Sequence, residues 1–433
     1  MASKIIFSLL LCFCLLQAKP QTAVRNDVME LRTAVNELSL ILLHDIFSAP
    51  AAGRIYAYCT AAAYEAAYNS PSGDSSLFGR LNDFPVVTAP ETENTDQHLA
   101  ALFAFYFTAH HFIYSQMRVE HLIDSLSLRY GRFMVAEEVA AARIYGQLVA
   151  DEVTGWADGD GYLTTRTWPR YSLLQTPGAW QPTPPDFSDA IEPWWGSLRT
   201  MCVDSAGWYP VAPPAVFSTD STSVFYRQAM AVYLTGGELT AEQQLIARFW
   251  DDNPFAIDFE GHMQLGIKKI SPAGHWLNIT SDAIASANAG FDEALIAFTA
   301  VSVAMHDAFI CCWKTKYTYN TIRPETYINT YISERWKPFI QTPPFPEYTS
   351  GHSTISAAAA TILTLIFGGQ FSFTDRSETD YDLPARHFNS FQEAADEASM
   401  SRFYGGIHFM PALEQGADQG RAIGSFTAFK LLH

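Results

Sequence analysis

Ser350, Gly351 and His352 stand side by side immediately before a run of small and apolar residues at 353–367. The run is typical of a helix, so the hydroxyl, the glycine and the imidazole would lie at a helix N-terminus. Free backbone N–H groups and the positive end of the helix dipole attract an anion at such a position. The tripeptide therefore predicts an anion-binding site, although the signal is weak without further residues around the same anion.

Two basic segments could supply those residues. Lys316 and Arg323 are seven positions apart, so two turns of a helix would place them on one face. Arg402 precedes a Gly405-Gly406 pair, which lets the backbone turn sharply and present His408 in apolar surroundings. Arginine forks match the oxygens of an oxyanion, and a neutral imidazole can ligate a metal. Taken singly, these residues are explained more simply by a solvated basic helix end and a buried core histidine.

Taken together, the three segments resemble the signature of a known superfamily in order and internal spacing. It comprises the vanadium-dependent haloperoxidases and the acid phosphatases related to phosphatidic acid phosphatase type 2. The resemblance implies that orthovanadate is the cofactor and that its oxygens are held by Lys316, Arg323, Ser350, Gly351 and Arg402. It also implies that His408 binds the metal, that His352 moves the proton of hydrogen peroxide, and that Lys316 polarises the peroxide. The chain departs from the usual motif at one position: Thr349 stands in place of proline. This difference removes no oxyanion ligand.

The haloperoxidase branch is favoured by aromatic residues near the motifs. Trp313 and Phe345 resemble the residues that line the halide side of chloroperoxidases, although ordinary core packing explains them about equally well. The implied reaction is the oxidation of a halide by hydrogen peroxide to hypohalous acid, through a peroxovanadate bound to His408. An organic acceptor could then be halogenated. Resemblance to bacterial relatives around Trp180 and Trp194-Trp195 favours iodide or bromide as the halide.

Two alternatives stay open. An acid phosphatase would use the same oxyanion cradle, with His408 as the nucleophile that forms a phosphohistidine and His352 as the acid for the leaving group. A helical protein that only binds phosphate would need neither histidine, so the presence of both argues against it. Trp313, Phe345 and the length of the chain favour the haloperoxidase over the phosphatase.

The elements that must position these residues are helices. Apolar residues recur at helical spacing over 28–42, and 98–130, 134–156 and 291–318 are each predicted as one long helix. Pro324 keeps Arg323 out of helical geometry, so the 291–318 helix ends shortly before it. No alternating run predicts a strand. The sequence therefore predicts an all-α helical-bundle protein, and the resemblance implies two four-helix bundles.

The domain organisation follows from composition. Residues 1–18 carry a basic start and an apolar run too short for a membrane span, which predicts a signal peptide. Residues 19–433 form a single domain, with an N-terminal bundle at about 24–160 and an active-site bundle at about 215–433. Between them, 161–214 is rich in proline and tryptophan and predicts a long irregular connecting segment. The protein is therefore expected to be exported, either periplasmic or secreted, with no stable membrane span.

The charge and cysteine content exclude other classes of protein. The chain has 433 residues and a formal net charge of −18, which makes it a poor binder of nucleic acid. Four cysteines follow the signal peptide, and they form neither a disulfide scaffold nor a zinc pattern, although one disulfide stays open. They are Cys59, Cys202, Cys311 and Cys312.

Three further residues or pairs could support the site. Asp251-Asp252 could pair with an active-site arginine, and Asp307 could anchor a hydrogen bond behind the site. His275 could lie near the mouth of the site, but a structural role is more common for a single histidine.

Overall fold

The computed structural model describes residues 25–68, 76–88, 95–253 and 269–432, together with the backbone of 257–260 and 263–266. The predicted signal peptide lies outside these described residues. Fourteen helices account for most of them: α1 Asp27–His44, α2 Ala49–Tyr68, α3 Gln97–Phe112, α4 Gln116–Tyr130, α5 Ala136–Asp158, α6 Tyr162–Thr165, α7 Val224–Gly237, α8 Ala241–Phe249, α9 Pro272–Ala287, α10 Phe291–Tyr319, α11 Pro324–Tyr331, α12 Gly351–Phe367, α13 Phe391–Tyr404 and α14 Met410–Leu431. The all-α prediction is confirmed.

Two details differ from the predicted helices and loops. The helix predicted over 98–130 is two helices, because Ile113 leaves helical geometry with φ −91° and ψ 158° and ends α3. Two short antiparallel hairpins also occur. Strand β1 Ile257–Glu260 pairs with β2 Met263–Gly266, and β3 Phe373–Asp375 pairs with β4 Arg386–Phe388. Strands of three or four residues offer too few positions for alternation to be recognised.

The centre of the molecule is α10, which is buried along most of its 29 residues. It packs against α2 on one side and against α12 and α14 on the other, so helices from both halves of the chain share one hydrophobic core. Among the described residues it is the one helix long and apolar enough to cross a membrane, but 94% of its most apolar window is buried inside the protein. We therefore assign α10 as a core helix.

The connecting segment, residues 161–214, is irregular apart from α6 and one 3-10 turn at Trp195–Ser197. Its backbone pairs with the chain just after α10: the Trp180 N–H donates to the Asn320 carbonyl at 2.8 Å. Asp307 on α10 fixes the other end of the segment, since its carboxylate accepts from the N–H groups of Met201, Cys202 and Val203 at 2.6–3.0 Å. Asp307 thus anchors the connecting segment.

Helices α12 and α14 approach unusually closely through glycine. A Cβ placed on Gly420 of α14 would lie 2.1 Å from the carbonyl oxygen of Thr354 on α12. Only a residue without a side chain fits such a contact between two backbones. The close packing matters for the site because the predicted anion-binding end of α12 begins at Gly351.

Candidate active site

The predicted helix N-terminus is present at the start of α12. Ser350 is its N-cap residue, and the Ser350 hydroxyl accepts a hydrogen bond from the Ser353 N–H at 3.3 Å. The Ser350 N–H donates to the Ala412 carbonyl at 2.9 Å, which ties this turn to α14. The hydroxyl keeps its own proton for donation, so this end of the helix can still offer neutral donors to an anion.

Arg323 lies at the N-cap of α11 in extended geometry, with φ −79° and ψ 151°, as Pro324 predicts. Its guanidinium is fully buried and donates to the carbonyls of Phe345 at 2.8 Å and Ile407 at 2.9 Å. Its Nη2 is buried without a hydrogen-bond partner among the described residues. Burial lowers the pKa of Arg323 to about 10.

Lys316 lies one turn before the end of α10 and is also fully buried. Its ammonium donates to three backbone carbonyls, those of Pro346 and Glu347 at 3.0 Å and that of Thr349. Burial, reinforced by the charge of Arg323, lowers the pKa of Lys316 to about 7. These three hydrogen bonds from Lys316 therefore hold the loop that leads into α12. An oxyanion that accepts a hydrogen bond from Lys316 would have to replace one of the three carbonyls.

Arg402, near the end of α13, joins two walls of the site. Its Nη1 donates to His352 Nε2 at 2.8 Å and to the Trp250 carbonyl, and its Nη2 lies 3.8 Å from Asp251. The predicted pairing of an active-site arginine with the Asp251-Asp252 segment is therefore found. The Nε atom of Arg402 is buried without a hydrogen-bond partner in the described part of the chain.

His408 is held between a carboxylate and a guanidinium. Its Nδ1 lies 2.8 Å from Glu347 Oε1, and its Nε2 lies 3.1 Å from Arg323 Nη1. Because Arg323 only donates, Nε2 accepts and the proton resides on Nδ1. Burial and the charges of Arg323 and Lys316 hold the pKa of His408 well below its ordinary value. The imidazole is neutral and directs a lone pair toward the cationic residues.

Glu347 is a site residue that the sequence reasoning missed. Its carboxylate also accepts from the Phe409 N–H at 3.0 Å, and burial raises its pKa to about 7 against the pull of Arg323 and Lys316. Glu347 is 61 positions from His408, so spacing within a motif does not reveal the pair. The sequence did offer one signal: Glu347 is an acidic residue three positions before Ser350, whereas the charged residues of the three motifs are cationic.

His352 lines a cavity together with Gly351, Arg402 and His408. Burial and the charge of Arg402 lower the pKa of His352 to about 4, although Asp252, 3.4 Å away, opposes the shift. The imidazole is therefore neutral near pH 7 and able to accept a proton.

The two predicted aromatic residues meet on one wall of the same cavity. The rings of Trp313 and Phe345 lie 5.0 Å apart, and the ammonium of Lys316 lies 5.0 Å from the Phe345 ring. The Trp313 N–H donates at 3.3 Å to the carbonyl of Ile191, so the connecting segment closes this side. The fold brings all nine predicted site residues together, while their roles in binding and catalysis stay predictions.

Comparison with known proteins identifies the family. A family model described as the VCPO second helical-bundle domain matches residues 296–335 and 329–432. No curated protein matches the chain. A crystal structure described as the first bacterial vanadium-dependent iodoperoxidase is 43% identical in sequence, covers 94% of this chain and 97% of its own, and superposes with a TM-score of 0.87. The chain belongs to the vanadium-dependent haloperoxidase family. The prediction of that family, and with it of a vanadate-dependent peroxidase, is confirmed.

More distant vanadium-dependent haloperoxidases share the fold. Apo and holo structures of bacterial vanadium-dependent chloroperoxidase are 15% and 14% identical, with TM-scores of 0.65 and 0.66. They cover 87% and 96% of this chain, and 93% and 94% of their own lengths. At this identity the likeness concerns the fold alone.

The residues of this vanadium-dependent haloperoxidase fit an oxyanion of the size and charge of vanadate. After burial itself, the charges of three buried cations, Arg323, Lys316 and Arg402, lower the pKa of His408. Two guanidinium nitrogens, Arg323 Nη2 and Arg402 Nε, are buried donors without a hydrogen-bond partner among the residues that the structure describes. Buried donors without acceptors are costly, and an anion with several oxygens would satisfy them.

Proposed function

We propose that this protein oxidises iodide with hydrogen peroxide to hypoiodous acid, with bromide as the second choice of halide. The observation that carries the choice of halide is the 43% identity, over 94% of the chain, to a structure described as an iodoperoxidase. The cavity wall formed by Trp313 and Phe345 supports it. An apolar wall favours a halide that gives up its hydration readily, and iodide is the largest and least strongly hydrated of the three common halides.

Vanadate would be bound through His408 Nε2, and its oxygens would be held by Arg323, Arg402, Lys316, Ser350 and Gly351. When bound, vanadate supplies a Lewis acid that activates hydrogen peroxide without a change of oxidation state. Glu347 keeps the proton of His408 on Nδ1, so Nε2 carries the lone pair that would serve as the ligand once its 3.1 Å hydrogen bond with Arg323 Nη1 is released. The buried guanidinium donors of Arg323 and Arg402 would fix the orientation of the bound anion.

His352 would accept the proton of hydrogen peroxide, since its neutral imidazole lines the cavity. Because Arg402 only donates, its 2.8 Å hydrogen bond marks Nε2 as the acceptor nitrogen of His352, and this bond would have to break as Nε2 takes the proton. Lys316 would polarise the peroxide with its buried positive charge. An organic acceptor that meets hypoiodous acid at the cavity mouth would be iodinated, which we include in the proposal.

The decisive experiment compares halide oxidation with phosphate-ester hydrolysis. Purified protein is reconstituted with orthovanadate, and peroxide-dependent oxidation of iodide, bromide and chloride is measured. Hydrolysis of an aryl phosphate is measured in parallel without vanadate. We expect iodide oxidation to be fastest and to be lost in His408→Ala but retained in His121→Ala, which changes an exposed histidine on α4. Halide oxidation that survives in His408→Ala, or phosphatase activity without any halide oxidation, contradicts the proposal.

We also propose that the protein is exported, to the periplasm or the medium. The support is the pattern of residues 1–18, with a basic start, an apolar run and a small residue at its end. N-terminal sequencing of protein recovered from each compartment of expressing cells tests this. A mature N-terminus near residue 19 is expected outside the cytoplasm, and intact protein retained in the cytoplasm contradicts it.

A further inference from the structure

A second cluster of ionisable residues lies behind His352, and none of its members binds the anion or moves a proton in the reaction proposed above. Its members are Asp252, His275, Asp375 and Glu378, each at most 4% exposed. His275, on the first turn of α9, places Nδ1 3.0 Å from Asp252 Oδ1 and Nε2 2.8 Å from Asp375 Oδ2. Asp375 ends strand β3, so one of the hairpins that the sequence did not predict delivers it. Three carboxyl groups therefore surround one imidazole in the protein interior.

Two oxygens of this cluster have no hydrogen-bond partner among the described residues. They are Glu378 Oε1 and Asp252 Oδ2, both fully shielded from solvent. A buried carboxyl oxygen requires a hydrogen-bond donor, a proton or a cation. One ligand atom from each of Asp252, His275 and Glu378 lies within 4.8 Å of the other two. The unpartnered Glu378 carboxyl thus points into the space that the other two residues border.

We propose that Asp252, His275 and Glu378 bind a divalent first-row metal ion of the Zn²⁺ type. One imidazole and two carboxylates are ligands that suit this class of ion. Ligand atoms about 2.0–2.2 Å from one such ion lie roughly 3.0–3.5 Å apart. The 3.0 Å between His275 Nδ1 and Asp252 Oδ1 already has this separation. A divalent ion would also pair with the two shielded oxygens that lack a donor among the described residues, Glu378 Oε1 and Asp252 Oδ2.

Asp375 supports the proposed metal site without being one of its ligands. It accepts the Nε2 proton of His275, which leaves Nδ1 as the ligand atom and fixes the orientation of the ring. Metal-bound histidines are commonly held in this way by a carboxylate on the second nitrogen. The ring of Trp250, stacked on His275 at 4.4 Å and 14°, restricts its rotation further.

The metal ion positions one wall of the active site. Asp252 Oδ2 lies 3.4 Å from His352 Nε2, so a ligated Asp252 is held opposite the proton acceptor. Trp250, which stacks on His275, accepts a hydrogen bond from Arg402 through its carbonyl. Asp252 and His275 are therefore positioning residues for His352 and Arg402.

The test uses Zn²⁺ alone on the full-length protein, stripped with a chelator and dialysed. Calorimetric titration and elemental analysis are expected to give one equivalent of bound Zn²⁺ per chain and a raised Tm. X-ray absorption of the bound zinc is expected to show one imidazole nitrogen with oxygen ligands. Glu378→Gln is expected to weaken binding at least about tenfold. Glu414→Gln, at an exposed position of α14, is the matched control and leaves binding unchanged.

The readouts need neither vanadate nor peroxide, so their outcome is independent of the proposed oxidation of iodide. Absence of a stoichiometric site, or Zn²⁺ binding by folded Glu378→Gln that equals wild type, overturns the proposal. The cluster is then an imidazolium shared by two aspartates. Circular dichroism verifies the fold of each variant. If Glu378→Gln does not fold, the wild-type stoichiometry and absorption spectrum decide the question.

Discussion

Glu347 holds the imidazole that we assign to vanadium in a single tautomer. The Oε1 atom accepts from His408 Nδ1 and from the Phe409 N–H, so one oxygen fixes both the ring and the backbone that carries it. Removing this oxygen leaves two buried donors unpaired and frees the ring to rotate. The affinity for vanadate therefore depends on a residue that does not touch the anion.

We expect Glu347→Ala to weaken vanadate binding about 10–100-fold, the usual effect of losing the partner of a metal-bound histidine. Glu347→Gln is the matched control, because its amide oxygen can accept both hydrogen bonds, and it should retain most of the affinity. Binding is measured by titrating stripped protein with orthovanadate and following the recovered activity. Equal losses in both variants would show that the charge of Glu347, and not its geometry, matters.

If His352 is the proton acceptor, as we propose, we expect its pKa, lowered to about 4 by burial and by the charge of Arg402, to set the acid limit of the reaction. Below that pH the imidazole is protonated and cannot accept a proton, so kcat of the vanadate-loaded protein should fall as the pH drops through about 4. His352→Ala should lower kcat by about 10²–10⁴ and abolish this acid limb. The measurement is the pH profile of kcat for iodide oxidation. An unchanged acid limb in the variant argues that another group titrates.

Among the secondary-structure elements, the contact between α12 and α14 controls the position of the anion-binding turn. Gly420→Ala places a methyl group 2.1 Å from the Thr354 carbonyl, so the two helices must separate. We expect a loss of about 1–3 kcal/mol in the free energy of unfolding, the usual cost of overpacking. Weaker vanadate binding should accompany it, because Ser350 bonds to Ala412 across the same contact. Denaturant unfolding and vanadate titration measure the two effects.

Gly155→Ala is the control for this substitution. Gly155 is an exposed residue within α5, and a Cβ there meets no atom within 4 Å. Alanine should stabilise α5 by about 0.5–1 kcal/mol, because glycine loses more backbone entropy in a helix. If both variants were destabilised alike, a general intolerance of the helices to alanine would replace the steric explanation.

The same elements show what the sequence could predict. The helix at 291–318 was predicted almost to its ends, since its apolar run is long and Pro324 marks where it must stop. The hairpins were missed because their strands are too short to show alternation. Within the site, the motif residues were predicted from the resemblance of three spaced segments to the superfamily signature. Glu347 was missed because its partner His408 is distant in sequence, and His275 and Asp375 are 100 positions apart. Such pairs are created only by packing.

At the scale of the whole molecule, one charged cluster fastens the start of α1 to the N-terminal half. Asp27 accepts from Arg25 at 2.7 Å, from His98 at 2.9 Å and from the Tyr130 hydroxyl. Although burial opposes it, the hydrogen bonds from His98, Arg25 and Tyr130 hold the pKa of Asp27 well below its ordinary value. The hydrogen bond to Asp27 raises the pKa of His98.

These opposite shifts define a window of pH. The contribution of Asp27 is present above its unfolded pKa of 3.8 and is lost as the pH falls through the folded value. The contribution of His98 is present below its unfolded pKa of 6.5 and is lost as the pH rises through the raised value. Asp27→Asn should therefore reduce the free energy of unfolding most near pH 5 and less near pH 9. Denaturant unfolding at both values tests this, and a pH-independent loss contradicts it.

The four described cysteines have a consequence for the working life of the protein. Cys59, Cys202, Cys311 and Cys312 are all buried and unpaired, and burial raises the pKa of the first three. The thiolate is the form that oxidants attack, and attack also requires access. An enzyme that releases hypoiodous acid is exposed to this oxidant throughout turnover. Because all four thiols are buried, they would be out of reach of the hypoiodous acid that we propose the protein releases, and the raised pKa of Cys59, Cys202 and Cys311 disfavours their reactive thiolates further.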